Sequence, residues 1–93
     1  MRGRARYELV LARKPSRVLA EELPESVATA VIEFLTSTLV QNPRRAGKPL
    51  RNELAGLWAA RRGTYRVIYE IDQRRREVNV LRIEHRRDAY RPF

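Results

Sequence analysis

The strongest constraint on this chain is a change of hydrophobic period near its middle. Val27, Val31, Phe34, Leu35 and Leu39 recur at offsets of four, seven, eight and twelve, which is one face of a 3.6-residue helix. Asn42-Pro43 ends that pattern, because a residue preceding proline is pushed out of the helical region. From Gly56 onward three strand-like segments follow, "GLWAAR", "YRVIYEI" and "EVNVLRIE", separated by the short turns "RGT" and "DQRRR". Turns this short make neighbouring strands pair antiparallel. Upstream, "YELVLA" (7–12) has strand character. "KPSRVLAEEL" predicts a first helix, with Pro15 and Ser16 at its start and Val18, Leu19 and Leu23 as its apolar stripe. Pro24 separates the two helices.

The predicted order is β-α-α-β-β-β. It describes an α+β domain with an antiparallel sheet and an N-terminal helix pair packed on one face. Residues 1–93 form a single domain. Between helix and meander, "RRAGKPLRNELAG" reads as a basic loop, and "HRRDAYRPF" closes the chain as a loop or one helical turn.

Composition narrows the chemistry. The chain has no cysteine and one histidine, so neither a disulfide framework nor a zinc or iron–sulfur site is expected, and no cofactor is called for. No apolar run approaches the ~18–20 residues of a membrane span, and "MRGRARYELV" lacks the apolar core of a signal peptide. The expectation is a cytoplasmic protein without a membrane partner. The net charge of +9 is unevenly spread: residues 18–43 carry Glu21, Glu22, Glu25 and Glu33 and no base, whereas residues 44–93 hold fourteen basic and six acidic side chains. A basic half beside an acidic helical segment points to an anionic partner, with nucleic acid foremost.

The arginine inside "YRVIYEI" makes the point local. Alternation sends Tyr65, Val67, Tyr69 and Ile71 to the core side of the strand, and Arg66, Ile68 and Glu70 to the other side. Arg66 is then either a solvated residue paired with Glu70 or Glu84, or part of a phosphate site. Arg61 and Arg62 at the preceding turn favour the second reading, as do Lys48 and Arg51 in the loop leading in and Arg86 and Arg87 after the last strand. Arginine's planar fork suits phosphate. His85 is the one side chain that gives or takes a proton near neutrality without help, and Tyr90 can stack on a base or pin the tail.

"GKPLRNELAGLWAARRGTYRVIYEI" followed by "HRRDAY" closely resembles the RelE branch of the RelE/ParE toxin superfamily. The resemblance implies the toxin of a type II toxin–antitoxin pair. Such a toxin is an mRNA interferase that enters the ribosomal A site beside 16S rRNA and cuts the codon there, leaving a cyclic phosphate and a free 5′-hydroxyl. It also implies neutralisation by a RelB-like antitoxin, through which alone the toxin meets operator DNA. Arg66 and Arg86 match the family's phosphate-stabilising arginines, and Tyr90 matches the tail tyrosine. Arg61, Arg66, His85, Arg86 and Tyr90 are thus the expected catalytic set, with Lys48, Arg51, Arg62 and Arg87 as RNA-binding residues. Strand lysines that serve some relatives as the base are replaced here by Leu57 and Ala59. Lys48, Arg61 and His85 stand as candidates for that role. A ParE-like inhibitor of DNA gyrase is the alternative that the same fold supports.

Overall fold

Helix α2 shows most directly how the sequence builds the fold. It runs as an α-helix over Glu25–Phe34 and continues as a wider, π-type turn over Leu35–Leu39. Pro24 sets an extended entry, and Glu25 places a carboxylate in the first turn, where the helix dipole favours it. The widening has a local cause. The Thr36 hydroxyl donates to the Ile32 carbonyl at 2.8 Å and the Ser37 hydroxyl to that of Glu33, so side chains compete for carbonyls of the helical ladder. Val31, Phe34, Leu35 and Leu39 are all buried, as their spacing predicts, and Val27 is partly buried against the same cluster.

The structure is a computed structural model that describes residues 6–85. Strand β1 (Glu8–Leu11) leads into α1, which is Arg13–Arg17 extended by a π-type turn Val18–Glu22. After α2 comes a single helical turn, α3 (Pro43–Ala46), and then β2 (Lys48–Pro49). A 3₁₀ turn at Asn52–Leu54 precedes β3 (Leu57–Arg62), β4 (Tyr65–Asp72) and β5 (Glu77–His85). The five strands lie in the order β1-β5-β4-β3-β2. The inward faces of β4 and β5 (Tyr65, Val67, Tyr69, Val78, Val80, Ile83) pack with the buried face of α2 in one core.

Two features extend the sequence reading. The basic loop contains β2, whose two residues pair with Ala59 and Trp58 of β3. The sheet is also mixed, because β1 joins β5 in parallel, Glu8 opposite Glu77 and Leu11 opposite Val80. Parallel neighbours need a long crossover, and here everything from α1 to β4 lies between them. The remaining pairings are antiparallel, as the short turns require. Tyr7 secures the start of β1. Its hydroxyl donates to Gln73 at 2.7 Å and accepts from Arg44 at 3.2 Å, and the Arg76 guanidinium stacks 4.4 Å from its ring centroid.

Tyr69 ties the layers together. It is fully buried, stacks on Trp58, and donates its hydroxyl to the Pro43 carbonyl at 2.6 Å. Burial pushes its phenol up to about 12, with the nearby Arg62 charge pulling weakly the other way. The folded chain therefore holds this proton at pH values where the unfolded chain, with a phenol near 10, has released it. The contribution is complete below pH 10 and falls by about 1.4 kcal/mol per unit as pH rises toward 12. Urea unfolding of wild type between pH 9 and 11 should show this decline. Tyr69→Phe should flatten it, leaving the smaller slope of Tyr65, whose phenol burial also raises. Equal slopes in both proteins would contradict the assignment.

Candidate functional site

Strand β4 buries Tyr65, Val67 and Tyr69 and exposes Arg66 and Glu70, the alternation its sequence dictates. Directly across from Arg66 lie Arg61 on β3 and Glu84 on β5. Residues so placed have Cβ atoms roughly 4.5–5.5 Å apart on the same face. The neighbouring row on that face runs Lys48, Ala59, Ile68, Arg82 across β2, β3, β4 and β5. Four cations, Lys48, Arg61, Arg66 and Arg82, are thus gathered over a floor of Ala59 and Ile68, with Glu84 among them.

A bulge in β5 makes this arrangement possible. Ile68 pairs with Arg82 but Tyr69 pairs with Val80, so Leu81 is an extra residue without a partner. Val78 and Val80 before the bulge and Ile83 after it are all buried, which flips the parity of the strand and turns Arg82 and Glu84 outward. The Arg66 Nε donates to Glu84 Oε1 at 2.9 Å, and Nη2 of Arg66 reaches the same oxygen. Arg82 Nη2 pairs with Glu84 Oε2 at 2.7 Å. The carboxylate side chain is 18% exposed, against 44% for Arg66 and 67% for Arg82, so the anion sits low between two cations that reach solvent.

The structure separates two of the expected site residues, Arg62 and His85, from this face. Arg62, one residue on from Arg61, belongs to the helix side. Its guanidinium lies 4.6 Å from the Phe34 ring centroid, and its Nη1 donates to the Arg61 carbonyl at 3.1 Å. His85 is opposite Tyr65, whose side chain is buried against α2, so its register assigns it to the helix side as well. Arg51 is exposed just before the 3₁₀ turn that follows β2. Arg86, Arg87 and Tyr90 lie outside the described residues. Sequence reasoning passed over Arg82 as a member of the cluster. The signal was present in the parity break from Val78 and Val80 to Ile83. Among the described residues no group of three or more histidines and carboxylates is placed to hold a metal ion, and no helix is long and apolar enough to cross a membrane.

Like charges on one rigid face raise the free energy of the unliganded surface and lower it when a polyanion arrives. Paired guanidinium groups favour a phosphate over a carboxylate ligand of lower charge.

The sequence pattern of the family described as "ParE toxin of type II toxin-antitoxin system, parDE" matches residues 5–90. Toxin RelG of Mycobacterium tuberculosis is 51% identical over 70 residues, covering 75% of this chain and 80% of that protein. Toxin RelE of the same organism is 45% identical over 85 residues, covering 91% and 87%. The crystal structure of the M. tuberculosis toxin–antitoxin complex RelBE2 superposes with a TM-score of 0.84 at 44% identity, covering 87% of this chain and 99% of that one. With its helices laid on a five-stranded sheet and its sequence shared at this level, the chain belongs to the RelE branch of the RelE/ParE superfamily, the toxins of type II toxin–antitoxin systems.

Proposed function

We propose that the chain is a ribosome-dependent endoribonuclease that cuts mRNA in the A site without a metal ion and so inhibits translation. The observation that carries this reading is the Arg61–Arg66 pair, held side by side on a rigid face with Lys48 and Arg82 in the adjacent row. In the reaction a base removes the 2′-hydroxyl proton and O2′ attacks the adjacent phosphorus. The 5′-oxygen then leaves with a proton, giving a 2′,3′-cyclic phosphate and a 5′-hydroxyl. Negative charge builds on the non-bridging oxygens in between, where Arg61 and Arg66 would bind them. Arg86 and Tyr90 keep the roles that the resemblance implies, phosphate stabilisation and substrate orientation. Of the candidate bases, Lys48 and Arg61 share the face of Arg66. Of these two side-chain types an amine is the one able to serve as a base, since a guanidinium does not give up its proton in proteins. His85 belongs to the other side of the sheet.

The partner that fits is a RelB-like antitoxin covering this basic face, and operator DNA would be reached only through it. The solved relative at 44% identity is itself a complex with RelB, which supports the assignment. The names RelG and RelE at 51% and 45% identity favour RNA cleavage over ParE-type gyrase inhibition. Induction of the protein followed by mapping of RNA 5′ ends should reveal cuts inside translated codons, with 5′-hydroxyl termini. Growth arrest with intact mRNA and inhibited supercoiling would overturn the proposal in favour of gyrase.

A further inference from the structure

The feature left unused by this mechanism is the carboxylate in the middle of the cations. We infer that Glu84 is a positioning residue: it fixes the guanidinium of Arg66 by its Nε/Nη2 edge and leaves the end-on fork of Nη1 and Nη2 for the scissile phosphate. The inference rests on the nuclease reading and names one further residue in the same site.

The geometry is specific. Arg66 uses Nε and Nη2, one edge of its planar group, on the single oxygen Oε1 of Glu84. An arginine has five N–H donors, and two are engaged here, so both Nη1 hydrogens and the second Nη2 hydrogen remain. These form the end-on fork, which matches two oxygens of a phosphate. The second oxygen of Glu84 is held by Arg82, which keeps the carboxylate plane from turning. The bulge at Leu81 aims the group: without the extra residue, Glu84 would point to the helix side of the sheet. Lys14 and Glu22 of α1 line the cleft beside Arg82 and Glu84, and the described ion pairs of Glu84 are with the two arginines.

A carboxylate next to an RNA site has two opposed effects, and their separation is the test. Its charge repels RNA in the ground state, while its hold on Arg66 serves the transition state. Glu84→Ala should therefore lower kcat by about 10²-fold, the loss typical of a misplaced catalytic group. KM should stay level or fall, because one negative charge has gone. Glu84→Gln keeps an oxygen for both Arg66 bonds and should recover a large part of kcat. A purely structural role would depress both variants alike, and a purely repulsive one would raise kcat/KM in both.

The experiment measures mRNA cleavage at a series of translating-ribosome concentrations for wild type, Glu84→Ala and Glu84→Gln, so that kcat and KM are obtained separately. Alongside it, the Nε–Hε resonance of Arg66 is followed by NMR in the isolated proteins. The expected result is a slowly exchanging Hε in wild type and Glu84→Gln that is lost in Glu84→Ala, with turnover following the same order. Wild-type cleavage with an equally active Glu84→Ala overturns the positioning role and leaves the nuclease reading standing. Wild type that leaves mRNA intact overturns the nuclease reading and, with it, this role.

Discussion

Arg66→Ala is expected to slow mRNA cleavage by about 10²–10³ while the protein remains folded, the loss seen when one donor to a developing oxyanion is removed. Arg66 is 44% exposed, and its described bonds go to a single carboxylate at the surface, so the fold depends little on it. Exposed ion pairs contribute about 0–1 kcal/mol, and a urea midpoint close to wild type should confirm that the defect is chemical. Arg66→Lys is the sharper variant. It keeps the positive charge but not the fork, so if phosphate geometry matters it should recover RNA binding without recovering rate. Arg62→Ala should behave in the reverse manner, because that guanidinium lies over Phe34 on the helix side. Its expected loss is in stability, about 0.5–1 kcal/mol, rather than in turnover. Full cleavage by Arg66→Ala would remove the residue from the mechanism.

The second large effect is expected at Gly47, where backbone meets backbone. A Cβ built at this position would sit 2.5 Å from the Ala59 carbonyl oxygen, 2.9 Å from the Ala59 carbonyl carbon and 2.5 Å from the Tyr69 hydroxyl. The φ of −142° is ordinary extended backbone, so the obstacle is collision rather than conformation. Gly47→Ala must push β2 away from β3 or break the Tyr69–Pro43 hydrogen bond. Overpacking of this kind costs about 1–3 kcal/mol, and an unsatisfied buried carbonyl adds a comparable amount. A fall in Tm of roughly 10–20 °C follows for a domain of this size. Cleavage should also suffer at permissive temperature, since Lys48 is the next residue and moves with the strand. Gly56 and Gly63 provide the contrast. Both have positive φ and open space where a Cβ would go, so alanine there meets only a backbone preference, and the expected cost is about 1 kcal/mol. A Gly47→Ala melt no lower than that of Gly63→Ala would show that β2 yields freely.

What the sequence discloses about this fold depends on the range over which each feature is determined. The buried stripe of α2 and the alternation of β4 are local periodicities, and each is legible because every buried residue repeats a pattern within a few positions. Arg66 was readable for the same reason. Three features were harder. β2 spans two residues, one of them Pro49, too short for any alternation to register. The parallel pairing of β1 with β5 joins residues 69 positions apart, beyond the reach of any turn rule. The bulge at Leu81 was written in the sequence as a break in parity, but reading it requires knowing which face is buried on both sides of the break. His85 illustrates the cost of that step. It precedes Arg86 in the chain and was grouped with Arg66, yet counting outward from the bulge assigns it to the side of Tyr65. Proximity along a strand is separation across a sheet.

The sheet order also bears on how the protein is made. β5 stands between β1 and β4, and it emerges from the ribosome after every strand it must join. In a chain that has produced only β1 to β4, β1 lacks its strand partner, because it pairs with β5. The grouping of Arg66 with Glu84 and Arg82 does not exist before that last strand arrives. The face that carries Arg66, Glu84 and Arg82 is thus completed by the last of the five strands to be synthesised.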